Sequence, residues 1–176
     1  PNWLYYSIRG GYYVGKFIPA GPLAIFIRFS VRLMAKRFIA GENIESVQKS
    51  FSALFSSGRD VTLDQLGELV VSEKEADHYR DEVIKLIKGF GQYITKGEKN
   101  TAGINRAHVS IKVSALCSDF KPYAKDYTYK LVAPRLKEIL LEAKAHDVFI
   151  NIDAEHYDYR DLVLFIYRKV LLETTE

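Results

Sequence analysis

Residues 108–116, HVSIKVSAL, alternate between Val109, Ile111 and Val113 on one side and Ser110, Lys112 and Ser114 on the other. A period of two predicts a β-strand, and it sets a lysine in the middle of a stretch otherwise suited to burial. DVFINIDAE (147–155) and the shorter RDVTLD (59–64) predict two more strands. Between them the period becomes helical. Ser72–Lys96 brings Val83, Ile84, Ile87 and Phe90 onto one face, with Ser72 as N-cap and Glu75 placed to complete a capping box. Leu131–Lys144, with Leu136, Ile139, Leu140 and Ala143 in step, and Arg160–Leu172 predict further helices, and 97–107 is a loop.

The stretch before Gly58 carries no strand pattern. Trp3 to about Val14 predicts a helix, and Gly21-Pro22 predicts a break. A second helix, Leu23–Phe38, restarts there, because proline is tolerated in a first turn, and Gly41 stops it. Ile44, Val47, Phe51 and Leu54 give a third helix over Glu42–Leu54. The reading is a helical arm, residues 1–57, followed by β-α-β-α-β-α over 58–176. Strands alternating with helices argue for an α/β fold with parallel βα units.

Two architectures fit that order. A doubly wound sheet usually carries a glycine-rich phosphate turn after its first strand, and LDQLGEL (63–69) has one glycine and no such turn. A (β/α)8 barrel places functional side chains at the C-terminal ends of several strands. Asp64, Lys112 and Asp153 stand at such positions, 48 and 41 residues apart, one βα unit each. Either aspartate, taken alone, could simply cap the next helix. Lys112 is harder to dismiss, since a buried ammonium costs several kcal/mol unless an anion compensates it. That anion is a structural aspartate or a bound carboxylate or phosphate.

Composition narrows the function. The chain is 48% hydrophobic and 27% charged, with a net charge of +3, an ordinary globular balance without the basic stripe of a nucleic-acid binder. One cysteine, Cys117, excludes an intrachain disulfide framework and a multi-cysteine zinc site, and points to a reducing, cytoplasmic setting. His78, His108, His146 and His156 show no metal-ligand spacing, and no metal is expected. Residues 17–34 are the most apolar region, but they are interrupted by Pro19 and Gly21-Pro22 and carry Arg28 and Arg32. A spanning helix needs about 20 apolar residues, so this segment reads as an amphipathic helix packed on the protein or touching a membrane or partner. The start at Pro1 predicts that residues precede it.

The motifs RFIAGENI (37–44), LDQLGE (63–68), VSIKVSAL (109–116) and INIDAE (150–155) occur in the order and spacing of the proline dehydrogenase domain. With RLMAKRFIAGEN in the arm, the chain most resembles the bifunctional proline utilization A flavoenzymes. The resemblance implies a distorted (β/α)8 barrel with FAD that oxidises L-proline to Δ1-pyrroline-5-carboxylate and passes electrons to a quinone, at the inner face of the cytoplasmic membrane. It implies that Lys112 binds the substrate carboxylate, Asp64 helps hold that lysine, Asp153 lies beside substrate and flavin, and Ala154 meets the flavin through its backbone. A C-terminal pyrroline-5-carboxylate dehydrogenase module using NAD is a further implication. Two departures stand out: Cys117-Ser118 where relatives carry His-Pro, and His156 where a second glutamate is common. The family's paired arginines, late tyrosine and main flavin arginine belong to later strands and the last helix. The resemblance therefore places about three of the barrel's eight βα units here, an incomplete barrel, expected to be inactive alone and to bind FAD weakly. Two alternatives stay open: a Schiff-base aldolase-type barrel with Lys112 as nucleophile, and a non-catalytic truncated barrel whose arm is an interaction surface.

Overall fold

A computed structural model describes residues 2–15, 19–36, 39, 41, 44–65, 70–154 and 156–175. In chain order the elements are α1 (Asn2–Gly15), α2 (Ala20–Ala35), α3 (Ile44–Ser56), β1 (Leu63–Asp64), α4 (Glu73–Tyr93), β2 (His108–Lys112), a 3-10 turn at Val113–Leu116, α5 (Lys125–Ala145), β3 (Phe149–Asp153), a 3-10 turn at Tyr157–Tyr159, and α6 (Arg160–Thr175). The arm motif residues Arg37, Phe38, Ala40, Glu42 and Asn43, together with Leu66 to Leu69 and Glu155, lie outside the described residues.

The chain divides into two compact units, Pro1–Glu42 and Asn43–Glu176. In the first, the expected break at Gly21-Pro22 lies inside α2. Both residues occupy the first turn, where an N–H has no helical partner in any case, and the helix begins after Pro19, whose carbonyl accepts the N–H of Leu23 at 3.2 Å. No side chain of α2 is buried.

In the second unit three parallel strands lie in the order β1-β2-β3. Leu63 and Asp64 oppose Val109 and Ser110, and His108–Lys112 run opposite Phe149–Asp153. Side chains alternate across a strand, so Leu63, Val109, Ile111, Ile150 and Ile152 share one face. That face joins Val83, Ile87 and Phe90 of α4 and Leu136 and Ile139 of α5 in one core. Phe51 of α3 packs on Phe90 with ring centroids 4.9 Å apart. Thus α3, expected with the arm, packs with the α/β unit, and the compact boundary falls before it rather than after residue 57.

Local departures from the sequence reading have local causes. β1 is two residues long, not six. β2 stops at Lys112, and Val113–Leu116 wind into a 3-10 turn. Val113 and Leu116 are apolar because the turn buries them fully, not because the strand continues. Ser110 and Lys112 are also buried, at 5% and 7% exposure. β2 is the central strand, so its polar side chains are flanked on both sides, and alternation predicts their direction but not their exposure. Ser72 Oγ caps α4 by accepting the Glu75 N–H at 3.3 Å, while the Glu75 carboxylate reaches the N–H of Val71 (2.9 Å), one residue upstream of the capping-box position. α5 begins at Lys125, six residues before the expected start, and takes in Tyr129, which is buried.

Candidate active site

The face of the sheet turned away from α4 and α5 carries the polar residues. Lys112 and Asp153 are laterally opposed, and Asp64 opposes Ser110, one side chain before Lys112 on the same face. All three strand-end candidates therefore project to one side. The Lys112 ammonium donates to both carboxylate oxygens of Asp64, at 3.1 and 3.0 Å. The two partners differ in exposure: the lysine side chain is 9% exposed and the aspartate 49%. The Lys112 side chain is thus sunk among its neighbours beside a half-exposed carboxylate. Asp153 is half-buried, and Ala154, directly after β3, is exposed.

The same face continues below this rim. Asn151 Nδ2 donates to Ser110 Oγ at 3.0 Å. At the N-terminal end, His108 Nδ1 lies 3.1 Å from Thr62 Oγ1 and its ring stands edge-on to Phe149, with centroids 4.7 Å apart. Burial lowers the His108 pKa, so the ring is neutral at physiological pH.

Two residues that sequence reasoning missed hold the lysine strand in place. Tyr79 on α4 is 6% exposed, and its hydroxyl accepts the backbone N–H of Lys112 at 2.9 Å. It lies in helical step with Val83 and Ile87, which marks it as a core residue but does not show where its polar end goes. Arg135 of α5 is the second. Its Nε donates to Asp77 (2.8 Å), and its Nη1 donates to Glu73 (2.6 Å) and to the carbonyl of Leu116 (2.9 Å). Glu73 also accepts from the N–H and hydroxyl of Ser118, at 2.9 and 2.8 Å. Burial pushes the Glu73 carboxyl up, but the Ser118 and Arg135 hydrogen bonds outweigh it and hold the pKa below its usual value. This network fastens the turn after β2 to the start of α4 and the middle of α5. Cys117 lies within it, buried, and burial pushes its thiol up to about 11, which excludes it as a thiolate nucleophile at neutral pH.

Parallel strands joined by helices, with a carboxylate-paired lysine at the C-terminal edge of the central strand, put the chain in the α/β class built from βα units. Comparison with known proteins narrows the class. The model of the proline dehydrogenase family matches residues 47–176. Proline dehydrogenase 1 of Bacillus subtilis (strain 168) is 33% identical over 141 residues, 80% of this chain and 41% of that protein. Bifunctional protein PutA of Escherichia coli (strain K12) is 30% identical over 148 residues, 84% of this chain and 11% of that protein. The crystal structure of proline utilization A from Bdellovibrio bacteriovorus inactivated by N-propargylglycine superposes with a TM-score of 0.78 at 28% identity, over 86% of this chain and 16% of that one. The chain belongs to the proline dehydrogenase family. It spans about two fifths of the length of the Bacillus relative and about a tenth of the bifunctional one.

Proposed function

We propose that this chain forms one wall of the active site of an FAD-dependent proline dehydrogenase, which oxidises L-proline to Δ1-pyrroline-5-carboxylate and passes the electrons to a quinone. The observation that carries the reading is the buried Lys112 ammonium, paired with Asp64 at the end of the central strand. Its three strands are read as the first three βα units of a (β/α)8 barrel, with the polar face inward. In support, the three strands follow chain order, as consecutive βα units of such a barrel do.

In this reading Lys112 donates to the proline carboxylate and fixes the ring's orientation, while Asp64 holds the ammonium in place before substrate arrives. Asp153 lies next along the rim, beside the substrate. Ala154, exposed beyond β3, would meet the flavin through its backbone, and its small side chain suits that approach. Bound FAD would supply the hydride acceptor. Activity belongs to the complete barrel, and the 176 residues alone are expected to hold FAD weakly. In the complete, flavin-loaded protein, anaerobic proline should bleach the flavin absorbance and a soluble quinone should restore it. A flavin that stays oxidised with saturating proline would exclude the reading. The Schiff-base alternative is weaker, because the Lys112 nitrogen is engaged by both carboxylate oxygens of Asp64.

Likeness to the bifunctional proteins supports a second, NAD-dependent pyrroline-5-carboxylate dehydrogenase module in the same polypeptide. The arm supports peripheral contact with the cytoplasmic membrane. Residues 1–41 contain no Asp or Glu. On α2, Arg28 and Arg32 stand one turn apart, with Lys36 a turn further on, while Phe26, Leu33 and Met34 are 66%, 59% and 65% exposed. No helix among the described residues is long and apolar enough to cross a membrane, whereas a cationic, apolar helix can lie in a membrane surface. The protein should therefore sediment with vesicles containing phosphatidylglycerol and not with pure phosphatidylcholine, and Arg28→Glu with Arg32→Glu should abolish sedimentation. Equal recovery with both vesicle types would dismiss the contact.

A further inference from the structure

We propose that Tyr79 is a positioning residue for Lys112, and that its phenol oxygen sets the place of the substrate-binding ammonium. The inference rests on the reading of Lys112 as the carboxylate binder. Its own support is the way β2 ends. As a strand, β1 stops opposite Ser110, two residues before Lys112. On its other side Lys112 is still opposed by Asp153. Its backbone N–H donates to Tyr79 Oη, 2.9 Å away. Immediately afterwards the chain leaves the extended conformation and turns at Val113–Leu116.

The last position of β2 is therefore fixed by a side chain from a helix. Both groups are buried, Tyr79 at 6% and Lys112 at 7% exposure. A buried N–H that loses its acceptor must find another or move toward water. A movement there would be passed on to the Cα of Lys112, and from it to the ammonium 3.0 Å from Asp64. Tyr79 itself need touch neither proline nor flavin. It acts by anchoring the backbone from which the lysine reaches.

Tyr79→Phe removes one oxygen and keeps the ring that packs in the core. In the complete flavin-loaded enzyme, kcat/KM for proline should fall about tenfold, with most of the change in KM. Oxidation of pyrrolidine, which has no carboxylate to be held, should be unchanged. A general loosening of the barrel would slow both substrates alike, so equal losses overturn the proposal. In a Lys112→Met background, Tyr79→Phe should add nothing to the KM for proline, and an additive effect likewise overturns it. If Lys112→Met alone leaves proline kinetics intact, the reading of the site fails. If Lys112→Met weakens proline binding and Tyr79→Phe does not, only the positioning role fails. Should Tyr79→Phe not retain flavin, a fluorinated phenol at position 79 keeps the shape and weakens the acceptor. It should then raise the KM for proline but not for pyrrolidine, and no difference between the substrates would refute the role.

Discussion

Lys112→Ala should reduce kcat/KM for proline by roughly ten- to a hundredfold in the complete enzyme, the equivalent of about 1.5–3 kcal/mol for a charge-assisted contact to a carboxylate. Most of the loss should appear in KM. In the proposed reaction the carboxylate keeps its charge throughout, so a contact with Lys112 would stabilise ground state and transition state nearly alike, and its removal would weaken both. Fold stability should change far less than activity. The Lys112 side chain is 9% exposed and that of its partner Asp64 49%. Deleting the buried member of such a pair removes a desolvated charge and leaves behind an aspartate that water can reach. Steady-state kinetics with a thermal melt of the same sample separates the two effects. Unchanged proline kinetics would remove Lys112 from the site. Borohydride trapping on Lys112 with a carbonyl substrate would revive the aldolase alternative.

The second large effect concerns stability. Arg135→Ala should cost about 2–3 kcal/mol, or roughly 5–10 °C in the melting temperature of a domain of this size. The Arg135 side chain is 12% exposed and holds two carboxylates of α4 and a backbone carbonyl of the turn after β2. A fully buried ion network could lose more, but Glu73 and Asp77 are 43% and 46% exposed, and solvent screens part of their interaction. Arg135→Lys should recover less than half, because a point ammonium cannot reproduce the guanidinium fork.

The same variant should flatten the acid limb of the stability curve. The Glu73 carboxyl has a folded-state pKa below its ordinary value of 4.5. The unfolded chain therefore binds that proton first as the pH falls, so the contribution of Glu73 is complete above about pH 4.5 and is lost as the pH drops through the folded value. With Arg135 gone, part of that depression goes too. Urea titrations at pH 6 and pH 3.5 should show a smaller difference for Arg135→Ala than for the parent chain. An unaltered difference would mean that Ser118 alone sets the Glu73 titration.

Much of the second unit can be read directly from its sequence. The apolar periods of 83–90 and 131–144 and the alternating runs around 109–113 and 148–152 mark elements that the fold contains. These patterns persist because burial of one face is a short-range constraint, written every second residue in a strand and every third or fourth in a helix. The ends of the elements are less legible. The apolar run Val113–Leu116 looks like more strand because the sequence records that these residues are buried but not the backbone angles that bury them.

The candidate site divides in the same way. Charged residues near the ends of successive strands drew attention to Asp64, Lys112 and Asp153 from residue type and spacing alone. Their placement on one face follows from strand register, a long-range property that spacing along the chain does not encode. The strut from Tyr79 to the Lys112 backbone spans 33 residues and the Arg135–Glu73 link spans 62. No local pattern announces either. A tyrosine at a core position and an arginine on a helix are each commonplace in sequence. They become support for one strand end only when folding brings α4 and α5 against β2, because a hydrogen bond depends on where two polar atoms meet and not on the residues that precede them.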